Sequence, residues 1–162
     1  MFKEIKALCL FYFFCLCYNL FKDRWFNLSI VVREYEDDDL NQVNKLLSES
    51  FSIEKNNFND DNFIEIVSCV DNCVSGYLLL TKILNPVKNR YYFLIDYVCV
   101  SSKYRGLGIG VEMLKYAEEI SRKNDAMYMQ LTCSYNRIAA HRLYEKCGFI
   151  KRDSDLFRKE LL

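Results

Sequence analysis

Apolar and polar positions divide this chain into short, well-bounded elements. Leu28–Arg33 (Leu-Ser-Ile-Val-Val-Arg) is apolar and β-branched, and predicts a first strand. Asp37–Phe51 opens on acids and carries Leu40, Val43, Leu46 and Leu47 at helical spacing, which predicts an amphipathic helix with one buried face. Ser52–Asn62 loses the periodicity and reads as polar and irregular. Phe63–Val70 and Cys73–Ile83 return to a strand pattern, and Asp71-Asn72 between them predicts a tight hairpin turn. A loop over Asn85–Arg90 then precedes a long strand, Tyr91–Val100, and a glycine-rich turn opens a helix over Val111–Lys123. Ala126–Thr132 reads as a strand, Asn136–Cys147 as a helix, and Phe149 to the end as a final strand pair or hairpin. Antiparallel strands first and a β-helix-β unit later predict an α/β fold (α+β mixed): a mixed, mostly antiparallel sheet with helices on both faces.

One segment stands outside that pattern. Ala7–Phe21 is apolar throughout except for Asn19, with charges on both flanks. It falls short of the ~20 residues of a spanning helix. It also lacks the small-residue cleavage site of a signal peptide. The expectation is an apolar N-terminal segment over residues 1–25, followed by a folded domain over 26–162. The segment is read as a peripheral membrane contact through residues 7–21, as a helix packed on its own domain or a partner subunit, or as a passenger before a downstream start.

Composition narrows the class. The 162 residues suffice for one domain with a real core, and a hydrophobic content of 51% excludes a disordered chain. A formal net charge of zero argues against a nucleic-acid partner. The eight cysteines lack any Cys-x-x-Cys pair, and several sit in apolar runs where a thiol packs as a small hydrophobe. With a single histidine in the chain, no metal site is expected. A reduced, cytoplasmic protein is expected, membrane-associated only if the N-terminal segment tethers it.

The chemistry concentrates in Tyr104-Arg105-Gly106-Leu107-Gly108-Ile109-Gly110, between a strand and a helix. Three glycines on alternate positions let backbone N–H groups turn inward and be approached closely. The helix that follows adds unpaired N–H groups and the positive end of its dipole, so the turn is a ready pyrophosphate site. Arg105 can add a charge-assisted contact. A P-loop would need Lys and Ser/Thr after the last glycine, where Val111 and Glu112 stand. A dinucleotide fingerprint would need its third glycine one residue later and an acid after the next strand, whereas Asp125 precedes it. A plain glycine turn is the remaining alternative for the loop by itself.

A second segment, Asn136-Arg137-x-Ala139-Ala140-His141-Arg142-Leu143-Tyr144-Glu145-Lys146-Cys147-Gly148-Phe149, reads as a helix with Asn136 as N-cap and Gly148 as C-cap. Positions 136, 140, 143, 144 and 147 share a face. Together, in this order and one helix and one strand apart, the two segments resemble the GNAT superfamily of acetyl-CoA-dependent N-acetyltransferases. The resemblance covers roughly residues 28–162. It implies a GNAT-like sheet that splays after the fourth strand to admit the pantetheine arm of acetyl-CoA.

The resemblance also implies roles. Arg105, Gly106, Leu107, Gly108, Ile109 and Gly110 would hold the pyrophosphate. Val98, Cys99 and Val100 would pair through their backbone with pantetheine, a Val98 N–H polarising the thioester. Asn136 would contact the cofactor arm. Tyr144 would be the general acid that protonates the departing thiolate, the plainer alternative being an aromatic that fills the helix–sheet gap. Asp96 would be the general base; two residues before Val98, it is expected on the same sheet face, with its pKa raised by burial. Its alternative is an ionised structural carboxylate. His141 is read mainly as a helix-surface residue, and an acetyl-cysteine route through Cys133 or Cys147 as improbable beside direct attack.

The expected reaction is acetyl transfer from acetyl-CoA, the acyl donor substrate, to a primary amine of a small molecule, with no metal. A protein or peptide acceptor, or a non-catalytic acetyl-CoA sensor, is the alternative. The acceptor pocket is expected in Ser48–Asn62 and Asn85–Arg90. Glu49, Glu54, Asp60 and Asp61 would suit a cationic amine there, although a solvated loop is the plainer reading of them. A homodimer is left open.

Overall fold

A computed structural model describes residues 29–57 and 60–161. The expectations placed on residues 1–25, including the membrane contact, lie outside the described residues.

The sheet has five strands in the order β1-β2-β3-β4-β5. They are β1 (Ile30–Glu34), β2 (Phe63–Val70), β3 (Cys73–Asn85), β4 (Arg90–Val100) and β5 (Met129–Leu131). The first four pair antiparallel and β5 joins β4 in parallel. Asp71 and Asn72 turn the β2–β3 hairpin with φ of 50° and 62°. Positive φ at both central residues is what a two-residue hairpin needs, and Asp and Asn tolerate it better than most side chains.

Helix α1 (Leu40–Phe51) covers one face of the sheet, and helices α2 (Ile109–Lys123) and α3 (Ile138–Lys146) cover the other. Strand alternation supplies both cores. Ile66, Leu78, Leu80, Phe93 and Ile95 pack against Ile109, Met113, Leu114, Ala117 and Tyr144 on the α2/α3 face. Val67, Cys69, Tyr77 and Cys99 pack against Val43, Leu46 and Leu47 on the α1 face. Arg33 and Asp39 clamp the entry to α1 through two hydrogen bonds of 2.6 and 2.9 Å, and Asp39 also accepts from the Glu36 N–H.

Helix and strand ends shift by one or two residues from the sequence reading at β3, α2 and α3, and three differences are larger. The first turn of the predicted Asp37–Phe51 helix is a 3-10 turn, Asp37–Asp39. Strand β5 is only three residues long, because it follows β4 over Phe93–Ile95 and then departs from it. Phe149 onward forms no strand among the described residues. Ile150 and Phe157 there are 84% and 90% exposed, so the apolar pattern of that segment has no sheet to bury it in the described chain.

Candidate active site

The site lies where β4 and β5 part. Their pairing ends at Ile95↔Leu131, so the β4 edge over Asp96–Val100 has no strand partner on the β5 side among the described residues. The glycine loop stands at the end of that edge. Gly106 and Gly108 have φ of +81° and +83°, and a Cβ added to either would meet nothing within 4 Å. Glycine is thus needed there for conformation, and the space in front of both is open. Gly110 differs: its Cβ would stand 2.9 Å from Leu143 Cδ2, so it permits α2 and α3 to pack closely.

The N–H groups of Gly108, Ile109 and Gly110, in the first turn of α2, donate to no protein acceptor among the described residues. Gly108 is the N-cap of α2, so this run of free donors coincides with the positive end of the helix dipole. Arg105 donates through Nε to Val100 O at 3.2 Å, which fixes its guanidinium beside the end of β4. Ile109 is 1% exposed, so only its backbone faces the loop, while Leu107 packs partly against the core. These features together fit a pyrophosphate, and the adjoining open strand edge fits an extended amide-bearing arm that pairs with Val98, Cys99 and Val100.

Tyr144 sits on α3, among the α2/α3 core and edge-on to Phe149 at 5.9 Å. Burial pushes its phenol up to about 12. Asn136 is exposed and does not cap α3: the N-cap is Arg137, with no side-chain capping bond. Gly148 does take the left-handed turn expected after the helix, with φ of +83°. His141 Nε2 bonds to Ser134 O at 3.0 Å, a structural tie of the segment before α3. Burial raises the Cys147 thiol, which favours the protonated, unreactive form.

The expectation that Asp96 and Val98 share a face is overturned. Between Tyr77↔Cys99 and Leu79↔Asp96, β4 spends one residue more than β3. That β-bulge centres on Tyr97, whose φ is 54°. The extra residue inverts the alternation. Val98 packs on the α2/α3 face with Tyr144, while Asp96 pairs with Leu79 on the α1 face. Burial alone raises the Asp96 pKa, and its carboxylate has no hydrogen-bond or ion-pair partner among the described residues. A raised carboxylate on one face and a protonated phenol on the other thus flank the open β4 edge.

Several residues that the sequence gives no site role shape the α1 side. Tyr97 meets Phe51 edge-on at 5.6 Å, and the Arg137 guanidinium lies 5.3 Å from the Phe51 ring. The end of α1, the bulge and the residue before α3 therefore meet at the Phe51 ring. Glu49 on the last turn of α1 and Glu54, Asp60 and Asp61 after it are all exposed, as the solvated reading expects. The carboxylate that faces inward is Glu65 on β2, bonded to Tyr77 Oη at 2.6 Å and 3.0 Å from Lys55 Nζ. Nothing local in Phe-Ile-Glu-Ile-Val distinguishes that glutamate from a surface one.

A sequence model of the acetyltransferase (GNAT) family matches residues 17–149. The chain is 28% identical over 133 residues to a streptothricin acetyltransferase from Escherichia coli, covering 78% of this chain and 74% of that protein. Its fold is similar to a crystal structure titled transcriptional regulator from Bacillus halodurans C-125, with a TM-score of 0.73, 24% identity, and coverage of 82% of this chain and 100% of that one. It is also similar to an aminoglycoside acetyltransferase from an uncultured soil metagenomic sample, with a TM-score of 0.71, 14% identity, and coverage of 82% and 96%.

Proposed function

The chain belongs to the acetyltransferase (GNAT) family, and from that premise we propose that it transfers the acetyl group of acetyl-CoA to a primary amine of a small cationic molecule by direct attack. The observation that carries this reading is the run of unpartnered N–H groups from Gly108 to Gly110 at the start of α2, beside a strand edge that is unpaired among the described residues. That pairing of features suits a ligand with a pyrophosphate at one end and an extended amide arm at the other. Acetyl-CoA supplies the activated thioester; the chain supplies its binding, its orientation and the proton traffic around it. The acceptor class draws support from the streptothricin and aminoglycoside acetyltransferases among the similar proteins.

The residues divide the work by face. The loop and the α2 N-terminus hold the phosphates. Backbone groups of Val98, Cys99 and Val100 align the arm, and the Val98 N–H donates to the thioester carbonyl as negative charge grows on its oxygen. Asp96, on the α1 side, accepts the proton of the incoming ammonium directly or through a water, which its raised pKa favours. Tyr144, on the opposite side, donates to the departing sulfur. With its phenol at about 12 and a thiol near ~8.5, complete transfer would be uphill by ~5 kcal/mol. Tyr144 therefore acts first as a hydrogen-bond donor to the developing thiolate; its proton passes to sulfur as the protonated nitrogen of the tetrahedral intermediate gives up its own, which returns through solvent to the phenolate and leaves a neutral amide.

The test is CoA thiol release by the full chain with acetyl-CoA and a panel of amines, with calorimetric acetyl-CoA binding alongside. Amine-dependent release is expected. Binding without release from any amine would leave the sensor reading in its place.

A further inference from the structure

The Lys55 ammonium occupies a cage that the reaction proposed above does not use. Lys55 Nζ lies 3.0 Å from Glu65 Oε1 and 3.9 Å from the centroid of the Tyr35 ring. Glu65 accepts on its other oxygen from Tyr77 Oη at 2.6 Å, and Tyr35 Oη donates to Asn57 Oδ1 at 2.7 Å. Carboxylate and ring face thus converge on one cation, as a site for an alkylammonium requires. The two charged side chains are 15% and 12% exposed. Despite its closeness to Glu65, the buried Nζ makes no well-directed hydrogen bond. Charge and the ring face hold it there, and an ammonium on another molecule can make the same two contacts.

The backbone of Lys55 is held separately. Its N–H donates to Asn44 Oδ1 at 2.8 Å, and Asn44 Nδ2 donates to its carbonyl at 3.0 Å. The side chain can swing out of the cage without loosening the loop from α1. Register then ties the cage to the candidate site. Glu65 pairs with Leu79, and Leu79 with Asp96, so both carboxylates lie in one cross-strand row on the α1 face. Two strand spacings separate them, roughly 10 Å between Cα atoms. Asp96 has no partner among the described residues, and Glu65 has a replaceable one.

We propose that Glu65, Tyr77 and Tyr35 form a second ammonium subsite on the acceptor face, held by Lys55 in the free protein, so that the preferred acceptor is a diamine or polyamine. One amine of that acceptor reaches the thioester past Asp96 while another replaces Lys55 at Glu65. The inference rests on the transfer reaction proposed above for its catalytic half, but the subsite itself can be read by binding alone.

The experiment compares α,ω-diaminoalkanes of increasing length with the matching n-alkylamines, by calorimetry and by CoA release, on the full-length wild type, Lys55→Met and Glu65→Gln. The methionine keeps the volume of the lysine stem and leaves the Tyr77–Glu65 bond in place. The wild type should show a KM roughly tenfold lower for the best diamine than for its monoamine, with a length optimum. Lys55→Met should tighten diamine binding severalfold, and Glu65→Gln should abolish the length optimum through KM rather than kcat. If Lys55→Met binds diamines no more tightly than the wild type, the Lys55–Glu65 pair is only a structural tie and the subsite is refuted. Tighter diamine binding with no CoA release from any amine would support the subsite and overturn the transfer reaction instead.

Discussion

Gly108 offers a test in which conformation and charge can be separated. Its φ is +83°, and a Cβ added there would meet no protein atom within 4 Å beyond its chain neighbours. The cost of substitution to the free protein is therefore the left-handed backbone alone, ~1 kcal/mol for the more tolerant Asn and Asp. Gly108→Asn and Gly108→Asp pay that cost nearly equally and add nearly the same volume. They differ by one negative charge, placed where the unpartnered N–H groups converge. If a phosphate charge sits ~4–5 Å from that carboxylate, repulsion at an effective dielectric between ~20 and ~80 amounts to about 1–4 kcal/mol. That is roughly fivefold to a thousandfold in affinity. Calorimetric titration with acetyl-CoA should show Gly108→Asn weakened modestly and Gly108→Asp weakened by at least about fivefold more, the gap narrowing at high salt. Both should melt within a few degrees of each other. Equal acetyl-CoA affinities for the two variants would falsify the assignment of the loop to the phosphates.

Three further outcomes are expected. Tyr144→Phe keeps the ring and its contact with Phe149 but removes the proton, so turnover should fall by about two orders of magnitude with acetyl-CoA affinity largely retained; turnover equal to wild type would make Tyr144 a packing residue only. Asp96 must be ionised to act as base and burial raises its pKa, so turnover should fall as pH drops through a point above the usual carboxylate range; a low-pH limb that survives in Asp96→Asn belongs to another group. The Arg33 guanidinium holds Asp39 below its ordinary pKa, so the pair contributes stability that is fully present above the unfolded carboxylate value and is lost as pH falls through the folded one. Asp39→Asn should cost ~2 kcal/mol at neutral pH, discounted for the partial exposure of Arg33, and an unchanged melting temperature there would show the clamp to be idle.

The amino-acid order by itself determined those features that rest on local physics. Asp71-Asn72 forms the predicted hairpin because two adjacent residues suffice for the turn. Gly106 and Gly108 take the positive φ that their alternate spacing suggests, and Gly148 ends α3 because only the last helical turn is involved. Val43, Leu46 and Leu47 are buried because helical periodicity is written in the sequence. What the tertiary structure decided depends on residues far apart in the chain. The Tyr97 bulge exists only as a mismatch between β3 and β4, and one extra residue moved Asp96 to the face opposite Val98. Strand β5 is short because it must leave β4 after Ile95, and that departure opens the edge on which the candidate site depends. The apolar positions after Phe149 carry a strand-like pattern, yet a pattern makes a strand only where a neighbouring edge accepts its backbone hydrogen bonds. Lys55, Glu65, Tyr77 and Tyr35 converge from a loop, two strands and a strand end, and no spacing in the sequence encodes a meeting that only sheet register and the Asn44 clamp bring about.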